Sequence, residues 1–70
     1  RSLGAPRAIV AASASLRVSP HGLAAEQGSV PAFRVVKVER GAPGWWLVQT
    51  RDGARGWVPD DVVAPVPRLN

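Results

Sequence analysis

Cysteine, methionine and tyrosine are absent from this 70-residue chain. Without cysteine there can be no disulfide, thiolate metal site, cysteine nucleophile or iron–sulfur ligand. Acidic residues are few, five against eight Arg and one Lys, and the formal net charge is +4. That balance permits an anionic partner, but +4 along a short chain is a weak nucleic-acid signature, and nucleic acid is not expected as the partner. No apolar run approaches the roughly 18–20 residues that span a bilayer, so this segment is not expected to insert in a membrane. The opening RSLGAPRAIVAA holds no signal-like hydrophobic stretch and does not begin with Met, so the chain reads as part of something longer. With one His and no Cys there is no metal-ligand cluster, and no cofactor is expected.

Small, branched and chain-breaking residues are plentiful. Ala and Val number 11 each, and Gly and Pro together make 14 of the 70. A domain of this size buries only about 60% of the surface its unfolded chain exposes. Lacking disulfide and metal staples, it must be held by apolar packing or by a partner. The excess of Arg over Lys, with abundant Ala and Val, suggests a GC-rich and bacterial coding bias.

Gly and Pro recur too often for a helix of useful length, and the long stretch Arg7–Ser19 has no 3.6-residue period. Strands are expected instead at Ala8–Ala12, Ser15–Val18, Ala32–Glu39, Trp45–Arg51, Ala54–Val58 and Val62–Ala64. In the third, Phe33 and Val35 compete with Val36 and Val38 for the inner face. In the fourth, Trp46, Val48 and Thr50 alternate with Trp45, Leu47 and Gln49. Asp52-Gly53 is a strong two-residue hairpin signal, which predicts a type I′ turn. The connection SPHGLAAEQGS reads as a long loop in which Leu23–Glu26 could make one helical turn. Residues 1–7 read as an N-terminal arm, 8–65 as one domain and 66–70 as a tail or linker. Five or six short strands in such a length suit a small, partly open all-β barrel, which hides most sheet edges.

The segment G-W-W-L-V-Q-T-R-D-G-A-R-G-W-V-P-D-D-V-V, Gly44 to Val63, resembles the second half of the SH3 family. It has the Trp pair opening a strand, the distal hairpin, the Gly-aromatic-aliphatic-Pro run, a short 3-10 turn and a last strand. Upstream, A-S-L-R-V-S-P and G-S-V-P-A-F-R-V-V-K-V-E are similar to the bacterial SH3 (SH3b) branch. The resemblance covers Ala8 to Ala64 and implies a five-stranded SH3-like barrel with a short 3-10 turn before the last strand. It also implies a ligand groove containing Trp45 and Pro59, with Trp45 the more exposed of the adjacent tryptophans. The departures bear on the ligand. Val62 stands where a groove Tyr is expected, and the early loop carries one acid, Glu26, so ordinary PxxP binding is not expected.

Each candidate residue has a plainer reading beside the functional one. Adjacent strand residues point to opposite faces, so one of Trp45 and Trp46 must lie outside the core, either as a contact surface or covered by the chain's own flanks. Trp57 can pack inward or line a groove. His21 in its Pro-His-Gly loop has no second metal ligand and nothing to orient it for catalysis. Asp60-Asp61 after a Pro reads as the start of a helical turn rather than as an acid–base pair. Gly56 is expected where backbones approach closely. Arg34 and Lys37, three apart on a strand, should face opposite ways, while Arg51 and Arg55 flank the distal turn.

No constellation supports an enzyme. The expected function is a non-catalytic, SH3b-type module of a larger bacterial cell-envelope protein, acting as a monomer. It would bind a peptide, a neighbouring domain or cell-wall glycopeptide through a groove of Trp45, Pro59, His21, Leu23, Glu26 and Trp57. A structural spacer or intramolecular docking domain is the alternative, and a nucleic-acid-binding SH3-like barrel the more distant one.

Overall fold

The computed structural model describes residues 7–65. The expected tail 66–70, and all of the expected arm except Arg7, lie outside them. The described chain is all-β, apart from one 3-10 turn. Its strands are β1 (Arg7–Val10), β2 (Ala14–Arg17), β3 (Glu26–Val30), β4 (Val35–Ala42), β5 (Trp45–Gln49), β6 (Arg55–Pro59) and β7 (Val63–Pro65). The 3-10 turn, Asp60–Val62, joins β6 to β7. All pairings are antiparallel, in the order β3-β2-β6-β5-β4-β1-β7.

Two expectations change here. The sheet has seven strands rather than five, and β3 and β7 remain as edges, so it does not close into a barrel. The additional strand in the middle is β3, at Glu26–Val30, where a long loop with a helical turn was expected. Its sequence EQGSV has only Val30 buried, so it carries no inward–outward alternation to read. It forms because β2 offers a partner: Ala14 pairs with Val30, Ser15 with Ser29 and Leu16 with Gly28.

The core is one Leu and a set of valines. Leu16, Val10, Val30, Val36, Val48 and Val58 are fully buried, and Ala8 joins them. Each such Val or Leu contributes about 1.5–3 kcal/mol on burial, so a chain without large core aromatics depends on close packing. Gly56 serves that packing as expected. A Cβ there would lie 2.4 Å from Leu16 Cβ and 2.9 Å from its Cα, so only glycine lets β6 cross β2 this closely.

The turns also depart from the sequence reading. Thr50 N–H donates to Ala54 O at 2.8 Å and Gly53 N–H to Thr50 O at 3.0 Å. Only Gly53 has a positive φ, +96°, with Asp52 on the negative side. The connection is therefore a three-residue loop, a type I turn followed by a left-handed glycine, rather than type I′. Thr50 Oγ1 also donates to the Asp52 carboxylate and accepts from Ala54 N–H, which locks the tip in place. Between β4 and β5, Pro43 and Gly44 (φ +80°) make a tight turn.

Phe33 lies outside the strand in which it was expected. β4 begins at Val35, and Phe33 occupies the preceding turn at φ +67°, 81% exposed. Val10 brackets that turn, accepting from Phe33 N–H at 2.5 Å and donating to Arg34 O at 2.9 Å. With Val36 filling the inner position, no place remains there for a Phe ring.

Among the described residues no helix is long and apolar enough to cross a membrane. No group of three or more His, Cys, Asp or Glu residues among them could hold a metal ion.

Candidate functional site

Strand register decides which aromatic residues share a face. Across β5 and β6, Trp46 pairs with Val58 and Val48 with Gly56, so these four face the core side. Trp45 pairs with Pro59 and Leu47 with Trp57, and these four face outward. On the far side of β5, Ala42 pairs with Trp45 and Arg40 with Leu47. On the far side of β6, Arg17 pairs with Trp57. The outward face of the β5–β6 hairpin is therefore a contiguous patch of Trp45, Pro59, Leu47 and Trp57, with Arg40 and Arg17 at its two sides.

The expectation that Trp45 is the more exposed of the pair is not met. Trp45 is half-buried and Trp46 is 38% exposed. The reason is position along the strand. Trp46 points to the core side, but beyond the end of the valine core. Its indole lies against Gly41, so close that a Cβ there would sit 2.7 Å from Cζ3. Trp45 gains cover from Pro59 opposite and Ala42 beside it. Trp57 is half-buried.

Two further links hold the patch. Asp60 N–H donates to Gly44 O at 2.9 Å, tying the 3-10 turn to the tip between β4 and β5 and so fixing Pro59 against Trp45. Asp60 and Asp61 occupy the first turn of the 3-10 segment, but no side chain caps it with a hydrogen bond. The early loop is held by Arg17, whose Nη1 donates to Ala24 O at 2.8 Å while Nη2 stands 3.6 Å from Glu26 Oε2. Val18 N–H to Ala25 O, 3.0 Å, closes the base of the loop.

Of the six residues expected in a groove, the structure brings Trp45, Pro59 and Trp57 together. It attaches Glu26 to them through Arg17. His21 and Leu23 share no strand register with the tryptophans; His21 is exposed, and Leu23 is 96% exposed. Sequence reasoning missed Arg17 and Leu47. The signal for Leu47 was present in its alternation with Trp45, whereas Arg17 requires knowing that β2 lies beside β6. Arg17 also changes the chemistry, because the one acid of the early loop is already ion-paired.

Two depressions lie away from this patch. One, of about 450 Å³, lies where β2 and β3 meet, at Ala14 and Val30. Another, of about 1010 Å³, opens between the Phe33 turn and the distal hairpin. Trp45, Trp57 and Pro59 line neither of these two.

Residues 20–66, 47 of the 70, match the family model described as variant SH3 domain. The match begins after β2 and takes in the whole aromatic patch except Arg17. A search of curated proteins found no significant match.

Proposed function

The chain belongs to the variant SH3 domain family, and from that premise we propose that it is a non-catalytic binding module whose ligand surface is the outward face of the β5–β6 hairpin. SH3-like domains are in general binding modules for proteins or peptides. The observation that carries the reading is the register pairing of Trp45 with Pro59, with Trp57 two residues along the same face. An aromatic ring beside a proline offers a ridge and a shallow trough for an extended peptide or a sugar-linked one. Glu26, His21 and Leu23 would form the loop side of the groove, with residues 41–44 at its other end.

The ligand favoured is a peptide or cell-wall glycopeptide with no essential basic residue. Arg17 stands 3.6 Å from Glu26 and opposite Trp57, so the one acid of the early loop is already paired and offers an incoming Arg or Lys little counter-charge. We further assign the chain to the bacterial SH3b branch and to a larger cell-envelope protein, with residues 8–65 as the module and 66–70 as a linker. The L-R-V-S-P start and the Arg-rich, Ala- and Val-rich composition support that assignment.

The test is an NMR titration of amide and indole N–H groups with three probes in turn: a proline-rich peptide pool, soluble peptidoglycan fragments and short single-stranded DNA. Shifts centred on Trp45, Trp57 and Asp60 with either of the first two are expected, and Trp45→Ala should remove them. Silence with all three at near-millimolar ligand would overturn the autonomous binder and leave a spacer or docking domain. A response to DNA alone would leave a nucleic-acid-binding barrel.

A further inference from the structure

A second surface lies at the opposite end of the β5–β6 hairpin. Along β5, Gln49 is four residues from Trp45, about 13 Å at strand rise. There the 1010 Å³ depression separates the turn before β4 from the distal hairpin. Its charged lining is Arg7, Arg34, Lys37, Arg51 and Asp52. Four cations against one carboxylate make +3, most of the chain's formal +4. None of the four cations forms a salt bridge among the described residues, where the two ion pairs are Arg17–Glu26 and Arg55–Glu39.

Arg34 and Lys37, expected to face opposite ways, are brought to one depression. Arg34 precedes β4, so strand alternation does not govern it, and both residues line the same depression. Arg7 and Lys37 are register partners across β1 and β4.

An apolar rim accompanies the charge. Phe33 is 81% exposed and Val35 50% exposed, and both line the depression with Pro31. The backbone of Phe33 is the unusual feature. At φ +67° it is the one residue other than glycine with positive φ among those described. An aromatic residue there bears a backbone strain that glycine would avoid. Packing does not explain the strain, since the ring buries little of itself. Held at a tight turn by two hydrogen bonds to Val10, the ring stands at a fixed place beside the cations.

We propose that this surface, the depression between the Phe33 turn and the distal hairpin, docks an acidic protein segment carrying an apolar side chain. Its carboxylates would meet Arg7, Arg34, Lys37 and Arg51, and its apolar side chain would pack on Phe33 and Val35. The occupant is not an end of the described domain's own sequence, because residues 1–6 and 66–70 contain no Asp or Glu. A protein segment is favoured over a nucleic acid strand because the apolar rim offers one aromatic ring and two aliphatic side chains. Stacking of successive bases needs several rings. Asp52 on the rim limits how far a continuous polyanion could extend. The proposal does not depend on the Trp45 surface.

The test uses the 70-residue chain and a blocked ten-residue peptide of Glu pairs alternating with Leu. Its partners are the same peptide with Gln for Glu, and an eight-nucleotide oligothymidine. Titration with the acidic peptide should shift the amides of residues 33–37 and 51–54. The Gln peptide should bind at least tenfold more weakly, and so should the acidic peptide to an Arg34→Glu, Lys37→Glu double variant. Phe33→Gly should weaken binding about fivefold without lowering the melting temperature, a combination that a merely structural role would not give. Trp45→Ala should leave this binding unchanged. Equal binding of the two peptides, an unaltered affinity in Phe33→Gly, shifts located elsewhere, or tighter binding of oligothymidine than of the acidic peptide would each overturn the proposal.

Discussion

The two ends of the β5–β6 hairpin use the same strands for opposite chemistry. At the end near the Pro43-Gly44 turn, register brings Trp45, Pro59, Leu47 and Trp57 to one outward face. Of the charges beside it, Arg17 is paired with Glu26. At the distal end the outward face is polar and cationic, with Gln49 and Arg55 in the strands and Arg7 and Lys37 beside them. Arg55 is committed to Glu39 at 2.7 Å, whereas Arg7, Arg34, Lys37 and Arg51 make no ion pair among the described residues. Strand register can thus sort one hairpin into an aromatic contact and a cationic one, separated by a few residues of β5. A domain with so small a core gains two faces without additional chain.

Both ends rest on one close crossing, and breaking it should abolish the comparison altogether. Gly56→Ala would place a methyl group 2.4 Å from Leu16 Cβ and close to Leu16 backbone, which cannot swing aside as a side-chain tip could. We expect a loss of about 3 kcal/mol or more, enough to unfold much of a domain this small. Thermal denaturation followed by tryptophan fluorescence measures it. A melting temperature within a few degrees of wild type would show that β2 and β6 can separate.

Substituting one end while keeping the fold should separate the two. Trp45→Ala is expected to weaken ligand binding at the aromatic end by about 2 kcal/mol, some thirtyfold, as for a central aromatic anchor. The outward, half-buried position of the ring implies a smaller cost in stability. Comparable losses in folding and binding would instead make Trp45 a packing residue.

Phe33→Gly sharpens the contrast from the other end. Relief of the left-handed conformation should stabilise the domain by about 1 kcal/mol, or roughly 4–8 °C in melting temperature for a chain of this length. A fall in melting temperature would mean that the ring contributes packing that outweighs the strain.

The smallest effect belongs to Asp52. The hydrogen bond from Thr50 Oγ1, followed by that from Ala54 N–H, holds its carboxyl below its ordinary pKa, and Arg34 adds a minor Coulomb attraction. A lowered folded-state pKa means the folded chain binds the Asp52 proton less readily than the unfolded chain does. The stabilisation is therefore full at neutral pH and is lost as pH falls through the ordinary carboxylate range and below the depressed value. Asp52→Asn should lower the melting temperature slightly at pH 7 and by progressively less as the pH is taken below the ordinary carboxylate range. An equal effect at every pH would assign the loss to the turn geometry rather than to the charge.

Much of the fold was legible because it rests on local chemistry. The alternation of Trp46 and Val48 against Trp45 and Leu47, the Gly56 approach and the Pro59-Asp60-Asp61 turn follow from residue type and a period of two. β3 was not legible, because Glu26–Ser29 is polar on both faces and becomes a strand only through its pairing with β2. The form of the distal turn was also hidden, since Asp-Gly serves a three-residue loop as well as a two-residue one. Of the aromatic patch, Trp45, Pro59 and Trp57 could be named in advance, but not that Trp46 would be the more exposed tryptophan. That depends on where the valine core ends.

By itself the sequence determined an all-β chain without disulfides, and the alternation that separates inward valines from the outward Trp45 and Trp57. Those properties depend on composition and on neighbours along the chain. Tertiary structure alone decided that Arg17 neutralises Glu26 beside Trp57, and that Arg7, Arg34, Lys37 and Arg51 converge around an exposed Phe33. These juxtapositions join residues far apart in sequence, through strand order and turn geometry, and no local pattern encodes them.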